Sequence, residues 1–238
     1  MDFNKLRKFL LLLFAVGLIV SCISDDETII EEEPIEIVKD IDGNEYEVLT
    51  LLGKKWLRQD LRVSRFRDGT PIPKVEDPEE WSKISYGAYT WFENDPANDE
   101  TYGKIYNGYL VNCCEICPED WRLPSENELV AVVDYFGGLF DAGQYPIVPQ
   151  WMSLEGLLGG ERKFDGGFLN KRNLTMNGDE VLIDFSVKWI RPQNRQVLEN
   201  PFAFMVERYT GKNVQYSMLK GSQRYMLNSG AYIKCIQE

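Results

Sequence analysis

The chain has 238 residues, a formal net charge of −12 and no histidine. The acidic balance argues against nucleic acid as a partner, because a phosphate backbone requires clustered lysines and arginines. The lack of histidine excludes Ser-His-Asp and Cys-His catalysis, and it excludes histidine-ligated zinc or haem.

The N-terminus has the layout of a secretory signal peptide. Basic residues lie between positions 5 and 8, and an apolar run of 12 residues, Phe9–Val20, follows them. A membrane span takes about 20 residues, so this run is too short to be one. Ser21-Cys22 resembles the lipobox of bacterial lipoproteins, in which the cysteine receives lipid. We therefore expect residues 1–21 to be a lipoprotein signal peptide and Cys22 to anchor the protein in the outer membrane; an ordinary signal peptide is the alternative.

An acidic segment follows this cysteine. It contains Asp25-Asp26-Glu27 and Glu31-Glu32-Glu33, and like charges at this density keep a chain extended and solvated. We expect residues 22–34 to be an acidic flexible tether and residues 35–238 to be the folded domain. An acidic cluster after a lipidated cysteine also resembles the surface-export signal of Bacteroidota lipoproteins, which implies display on the cell surface. A plain linker is the alternative.

The first half of the domain alternates between strand and loop signals. Ile35–Lys39 and the stretch that follows Asp42-Gly43 predict a β-hairpin with a tight turn. Proline and acidic residues over 68–85 predict a surface loop. An aromatic strand is expected over Tyr86–Phe92, and a helix is expected over Thr101–Val111.

Two acidic segments are candidate calcium loops. Asp40-x-Asp42-x-Asn44 begins like one, but Glu45 stands where a calcium loop requires glycine, so a hairpin turn is favoured. Glu93–Glu100 carries four carboxylates, and an ordinary polar turn is the favoured interpretation there too. We expect neither a metal nor another cofactor.

The clearest local signal is a helix that begins after Ser125. Ser125 and Glu128 form a capping box, and apolar residues then recur with helical spacing until Gly137-Gly138. Residues 139–180 are rich in glycine and predict long loops with short strands. The remaining strands are expected over Val181–Ile190, Phe202–Arg208, Asn213–Leu219 and Ala231–Ile236.

Four cysteines remain besides Cys22, and four cysteines allow three pairings. Cys113, Cys114 and Cys117 form a cluster that invites a metal interpretation. Structural zinc sites use two separated cysteine pairs, however, and only one cluster exists here. A disulfide between Cys117 and Cys235 is favoured. Cys113 and Cys114 are then free, joined to each other, or available for another pairing.

An ordered set of motifs resembles the Fibrobacter succinogenes major paralogous domain over about residues 35–238. The motifs are Asp40-Ile41-Asp42-Gly43-Asn44, Trp56 with Asp60-Leu61, Asp68-Gly69-Thr70-Pro71-Ile72, Tyr102-Gly103 with Tyr106-Asn107, Cys117-Pro118, Trp121-Arg122-Leu123-Pro124 and the terminal Cys235. In that family the Cys-Pro segment and the C-terminal cysteine occur together. The resemblance therefore supports the pairing of Cys117 with Cys235.

The segment Trp121–Pro124 is also similar to the helix start of the C-type-lectin-like superfamily, which includes the formylglycine-generating enzymes. The resemblance implies an α+β fold with a small twisted antiparallel sheet, two helices and long loops that carry a ligand site. The calcium signatures of lectins and the paired active-site cysteines of the enzymes are absent, so neither activity carries over.

These observations predict a surface-anchored lipoprotein with a non-catalytic binding or adhesion domain for a glycan or a protein. Trp189, Arg191 and Trp151 are the candidate ligand-binding residues, because they lie near or between glycine-rich segments and indole rings stack on sugars. The alternatives are a structural or assembly subunit of the cell envelope and, less favoured, a hydrolase of extracellular polymers. The hydrolase requires two carboxylates in one cleft.

Overall fold

The computed structural model describes five stretches of the chain: residues 35–138, 159–176, 178–191, 201–211 and 215–237. Residues 35–238 form one compact unit. The predicted signal peptide, Cys22 and the acidic tether lie outside the described residues, as does Trp151.

The described residues contain four α-helices and fourteen strands, so the architecture is α+β, as predicted. The expectation of two helices and one small sheet is wrong, because these residues form four helices and three sheets. The helices are Pro78–Lys83 (α1), Asp99–Tyr102 (α2), Gly108–Cys113 (α3) and Glu126–Tyr135 (α4). The strands are Ile37–Lys39 (β1), Glu45–Leu51 (β2), Lys54–Leu57 (β3), Tyr89–Thr90 (β4), Ile105–Asn107 (β5), Trp121–Arg122 (β6), Glu161–Arg162 (β7), Phe168–Leu169 (β8), Lys171–Met176 (β9), Asp179–Trp189 (β10), Phe202–Gly211 (β11), Gln215–Arg224 (β12), Gly230–Ala231 (β13) and Ile236–Gln237 (β14).

The strands form three sheets in which all the named pairings are antiparallel. Their orders are β1-β2-β3-β14-β6, β4-β5-β13-β7-β8 and β9-β10-β11-β12. The last two strands each lie inside a sheet built from earlier strands, β13 between β5 and β7 and β14 between β3 and β6. The C-terminal segment therefore joins these two sheets. It also contacts β10, because Trp189 N donates to Tyr232 O at 2.8 Å.

Helix α4 begins where the sequence predicts it. The Ser125 side chain accepts a hydrogen bond from Glu128 N, and the Glu128 carboxylate accepts one from Ser125 N. The guanidinium of Arg122 binds the same carboxylate with two hydrogen bonds, at 2.8 and 2.7 Å, and these bonds hold the pKa of Glu128 far below its usual range. Leu129, Val132 and Val133 are buried, so this helix covers one part of the core.

The prediction of one helix over Thr101–Val111 is wrong. Helix α2 ends at Tyr102, strand β5 follows, and only then does α3 begin. Gly103 makes the break, because its φ is +78° and a Cβ there would lie 2.8 Å from Leu61 O. Of the residues that suggested one helical face, Ile105 and Tyr106 are buried in β5 instead.

Two further expectations need correction. The surface loop predicted over 68–85 contains α1, which is capped by Asp77 and buries Trp81 completely. The strand predicted over Tyr86–Phe92 is reduced to the two residues of β4, with a single 3₁₀ turn beginning at Phe92. In both segments aromatic side chains are buried in the core. This packing determines the local structure more than the intrinsic propensities of the residues do. The hairpin β1–β2 and the strands β10 and β11 occur where they were expected. Strand β12 begins in the predicted range but extends five residues beyond it, to Arg224, and the strand expected over Ala231–Ile236 is replaced by the two short strands β13 and β14 at its ends.

The core contains a buried ionic cluster. Lys188 and Lys234, whose side chains are 2% and 1% exposed, both pair with the carboxylate of Asp60, which is equally buried. Lys234 Nζ lies 3.2 Å from Asp60 Oδ1, and Lys188 Nζ lies 4.7 Å from the centre of the Tyr232 ring. Burial lowers the pKa of Lys234 to about 8, although the Asp60 charge opposes this shift. We name these three charged residues the Asp60 cluster.

Candidate functional site

A cleft of about 470 Å³ opens between the turn of the β1–β2 hairpin and the segment Ile116–Glu119. Its size falls within the range of about 300–1,000 Å³ that is typical of small-ligand sites. The described lining residues are Lys39, Asp40, Ile41, Arg67, Ile116, Cys117, Pro118 and Glu119. The cleft thus combines an apolar side with charged groups of both signs.

The hairpin side of the cleft is held by Asp40. Its carboxylate accepts hydrogen bonds from Asp42 N at 2.9 Å, Asn44 N at 3.0 Å and the Tyr46 hydroxyl at 2.6 Å. Burial, together with the neighbouring Asp40 charge, raises the pKa of Tyr46 well above its ordinary value. Because these internal donors occupy the carboxylate, Asp40 shapes the turn, as the hairpin interpretation predicted.

The opposite wall is held by Arg67. Its guanidinium donates to the carbonyl oxygens of Cys117 at 2.8 Å and Pro118 at 2.9 Å, and also to the carbonyl oxygen of Trp121. It pairs in addition with the Glu115 carboxylate at 2.9 Å. No sequence motif pointed to this role, since the acceptors are mostly backbone oxygens that any residue carries.

The same wall is bonded covalently to the C-terminal segment. Cys117 and Cys235 form a disulfide, and both side chains are buried. This is the pairing that the cysteine pattern favoured and the resemblance supported. Cys113 and Cys114 form a second disulfide with each other, so one of the alternatives left open by the sequence is realised. Arg67 and the Cys117–Cys235 disulfide therefore both hold this wall in place.

The rim of the cleft is accessible. Ile41 is 43% exposed, and the side chains of Lys39 and Glu119 are also exposed. Lys39 pairs with Glu45 at 2.8 Å, but both partners are more than half exposed, so the pair is weak and free to exchange for a ligand group. The rim can therefore offer an apolar contact and two opposite charges to a bound molecule.

A second cluster of polar side chains lies on the sheet formed by β9, β10, β11 and β12. Glu207 is fully buried; its carboxylate pairs with the Arg172 guanidinium and accepts from the Tyr209 hydroxyl. Burial raises the pKa of nearby Glu161 to about 7, although Arg172, Lys163 and a hydrogen bond from Tyr225 oppose the shift. Glu161 and Glu207 do not present two carboxylates to a substrate, because the side chain of Glu207 is buried.

Glu161 is expected to make stability depend on pH. The folded protein keeps the Glu161 proton up to about pH 7, whereas the unfolded chain releases it near the ordinary value of 4.5. Stability should therefore fall as the pH rises from 4.5 to 7, by about 1–3 kcal/mol. Glu161→Gln should remove this fall in urea unfolding series at pH 4.5 and 8, and Glu180→Gln, at an exposed site in β10, should keep it. An unchanged fall in Glu161→Gln would contradict the prediction.

The family model described as Fibrobacter succinogenes major domain matches residues 52–217, more than two thirds of the chain. The chain belongs to this family. No curated protein and no solved structure matches it. The matched residues of this Fibrobacter succinogenes major domain include α1–α4 and the wall of the cleft. The hairpin strand β1 and Cys235 lie outside them.

The structure places Trp189, a predicted ligand-binding residue, inside the hydrophobic core. Its ring is 0% exposed in this Fibrobacter succinogenes major domain, and its Nε1 donates to Tyr106 O at 2.7 Å. The indole also packs edge-on against Tyr225, with the ring centres 5.9 Å apart. Arg191 is exposed, and its backbone N donates to Pro124 O. Neither residue lines the cleft.

The acidic segment around Glu93–Glu100 is ordered by its own side chains. Asp95 caps a 3₁₀ turn by accepting from Ala97 N, and Asp99 pairs with the buried ammonium of Lys104 at 2.9 Å. No group of three or more histidine, cysteine or acidic side chains in the described stretches is placed to hold a metal ion. None of the helices in the part of the chain that the structure describes has the length and apolar character that crossing a membrane requires.

Proposed function

We propose that this chain is a surface-anchored lipoprotein whose domain binds another envelope protein without catalysis, and that a peptide segment of that partner lies in the cleft. The observation that carries the proposal is the cleft itself, with a volume of about 470 Å³ and one wall fixed by a disulfide and by Arg67. A preformed wall costs little ordering entropy when a ligand binds.

The chemistry of the lining favours a peptide over a glycan. Sugars are recognised mainly by stacking on aromatic rings, and the described lining residues contain none. Ile41, which is 43% exposed, instead offers a contact for an aliphatic side chain. Lys39 and Glu119 carry the opposite charges that can pair with charged side chains of a peptide. A protein partner would also fit the alternative role as an assembly subunit.

The anchor and the fold subclass belong to the same proposal. The lipobox-like Ser21-Cys22 and the acidic segment after it support attachment to the outer membrane and display at the surface. A C-type-lectin-like topology is supported by the position of β14 inside the sheet of the N-terminal hairpin, and by Trp121–Pro124 leading into α4.

Binding measurements on a soluble form, residues 23–238, would test the proposed function. Ile41→Lys and Glu119→Lys should each weaken binding to solubilised envelope proteins at least tenfold, because they change the rim of the cleft. Tyr135→Lys is the matched control, since Tyr135 is 68% exposed on α4 and does not line the cleft.

The outcomes separate the ligand classes. Loss of protein binding in the two cleft variants, with normal binding in the control, supports the proposal. If the parent domain is retained on a glycan array and the two cleft variants are not, the ligand is a sugar and not a peptide. Equal binding by all three variants would refute the cleft as the binding site.

A further inference from the structure

The two disulfides within the described stretches lie in very different surroundings. The side chains of Cys117 and Cys235 are buried, whereas Cys113 is exposed and Cys114 is half-buried. A disulfide exchanges with an external thiolate only if one of its sulfur atoms can be reached. The Cys113–Cys114 bond can therefore be attacked in the folded protein, and the other bond cannot.

The Cys113–Cys114 bond contributes little to the fold. It joins consecutive residues, so it closes no loop and removes almost no entropy from the unfolded chain. The peptide bond also holds the two Cα atoms 3.7 Å apart, closer than the separation of about 4.4–6.8 Å that disulfides usually adopt. A bond that departs from this separation is more easily reduced. Stabilisation of the fold does not explain its presence.

The position of the pair allows it to open without disturbing its neighbours. Cys113 is the last residue of α3, and Cys114 N caps the helix by donating to Leu110 O at 3.0 Å. The wall that follows is held by Arg67 and by Cys117, neither of which depends on this bond. Reduction would therefore change only the last turn of α3.

The local charges permit the approach of a thiolate. Glu115 is the nearest carboxylate along the chain, and the Arg67 guanidinium lies 2.9 Å from it. This pairing offsets the negative charge that would otherwise repel the incoming anion.

We infer that Cys113–Cys114 is a redox-active site that exchanges two electrons with an external dithiol, while Cys117–Cys235 stays closed. A thiolate of the dithiol attacks the sulfur of Cys113, the more exposed residue of the pair, the Sγ–Sγ bond breaks, and Cys114 leaves as a thiolate. The second thiolate of the dithiol then attacks the mixed disulfide and releases Cys113. The dithiol ends as a disulfide, and its two electrons and two protons end on the cysteine pair.

Differential alkylation of the intact chain tests this inference. Protein purified in air is incubated with increasing dithiothreitol under native conditions, and free thiols are blocked with one alkylating reagent. The protein is then unfolded and fully reduced, and the remaining thiols are blocked with a second reagent. Mass spectrometry of the peptides should show the first label on Cys113 and Cys114 at a dithiothreitol concentration at least about tenfold below that which labels Cys117 and Cys235.

A double variant provides the matched control. Cys113→Ser with Cys114→Ser should abolish the early labelling and leave the melting temperature within about 2 °C of the parent. Three results would overturn the inference: both pairs open at the same dithiothreitol concentration, the Cys113–Cys114 pair resists until the protein unfolds, or these two residues are already thiols before reductant is added.

Discussion

Replacing both Cys117 and Cys235 with alanine is expected to lower the free energy of unfolding by about 4–5 kcal/mol, because the bond between them closes a loop of 118 residues. Without this bond the unfolded chain regains the entropy of that loop. The folded state also loses the covalent link between the cleft wall and the segment that supplies β14. The loss is a large part of the stability of a domain of this size.

Urea unfolding monitored by tryptophan fluorescence measures this effect. The matched control is Cys113→Ser with Cys114→Ser, which removes the other disulfide but opens no loop. We expect a change below about 1 kcal/mol for the control. Similar losses in the two double variants would show that loop closure is not what stabilises the domain.

Asp60→Ala is expected to lower the free energy of unfolding by about 3–5 kcal/mol, because it leaves two buried ammonium groups without their counter-charge. Both lysine side chains are almost completely buried, so water cannot replace the carboxylate. The Asp60 cluster also connects three parts of the chain, since Lys188 lies in β10 and Lys234 lies between β13 and β14.

A variant that lacks the two lysine charges tests whether the effect of Asp60→Ala depends on them. In a chain that carries Lys188→Met and Lys234→Met, the further change Asp60→Ala should cost at least about 2 kcal/mol less than it costs in the parent. Urea unfolding of the four variants in this cycle gives the coupling energy. Equal costs in both backgrounds would mean that the ionic cluster does not account for the effect of Asp60.

The elements that the sequence predicted correctly are those with strong local signals. Helix α4 has a capping box and four apolar residues with helical spacing, and the β1–β2 hairpin has an Asp-Gly turn. The residues around Gly103 gave a misleading signal. Their aromatic spacing suits a helix, but the chain breaks at Gly103 because it lies close to Leu61, which is distant in the sequence. Local pattern alone could not reveal that contact.

The candidate site shows the same limit. Trp189 was a candidate binding residue because it lies near glycine-rich segments and an indole ring can stack on a sugar. Both faces of the last part of β10 are covered, however, so side chains are buried whichever way they point. Arg67 was missed because its partners are mainly backbone carbonyls brought together by the fold. The pairing of Cys117 with Cys235 was favoured over a metal site from the cysteine pattern, and the family resemblance supported it.

The cleft as a binding site for an envelope protein is tested most directly by site-specific photo-crosslinking in intact cells. A photoreactive residue at position 41 lies on the rim of the cleft, and one at position 135 lies on α4 outside its lining. We expect position 41 to give one crosslinked protein partner that Glu119→Lys abolishes, and position 135 to give none. Crosslinks of equal yield at both positions, or none at position 41, would contradict the proposed function.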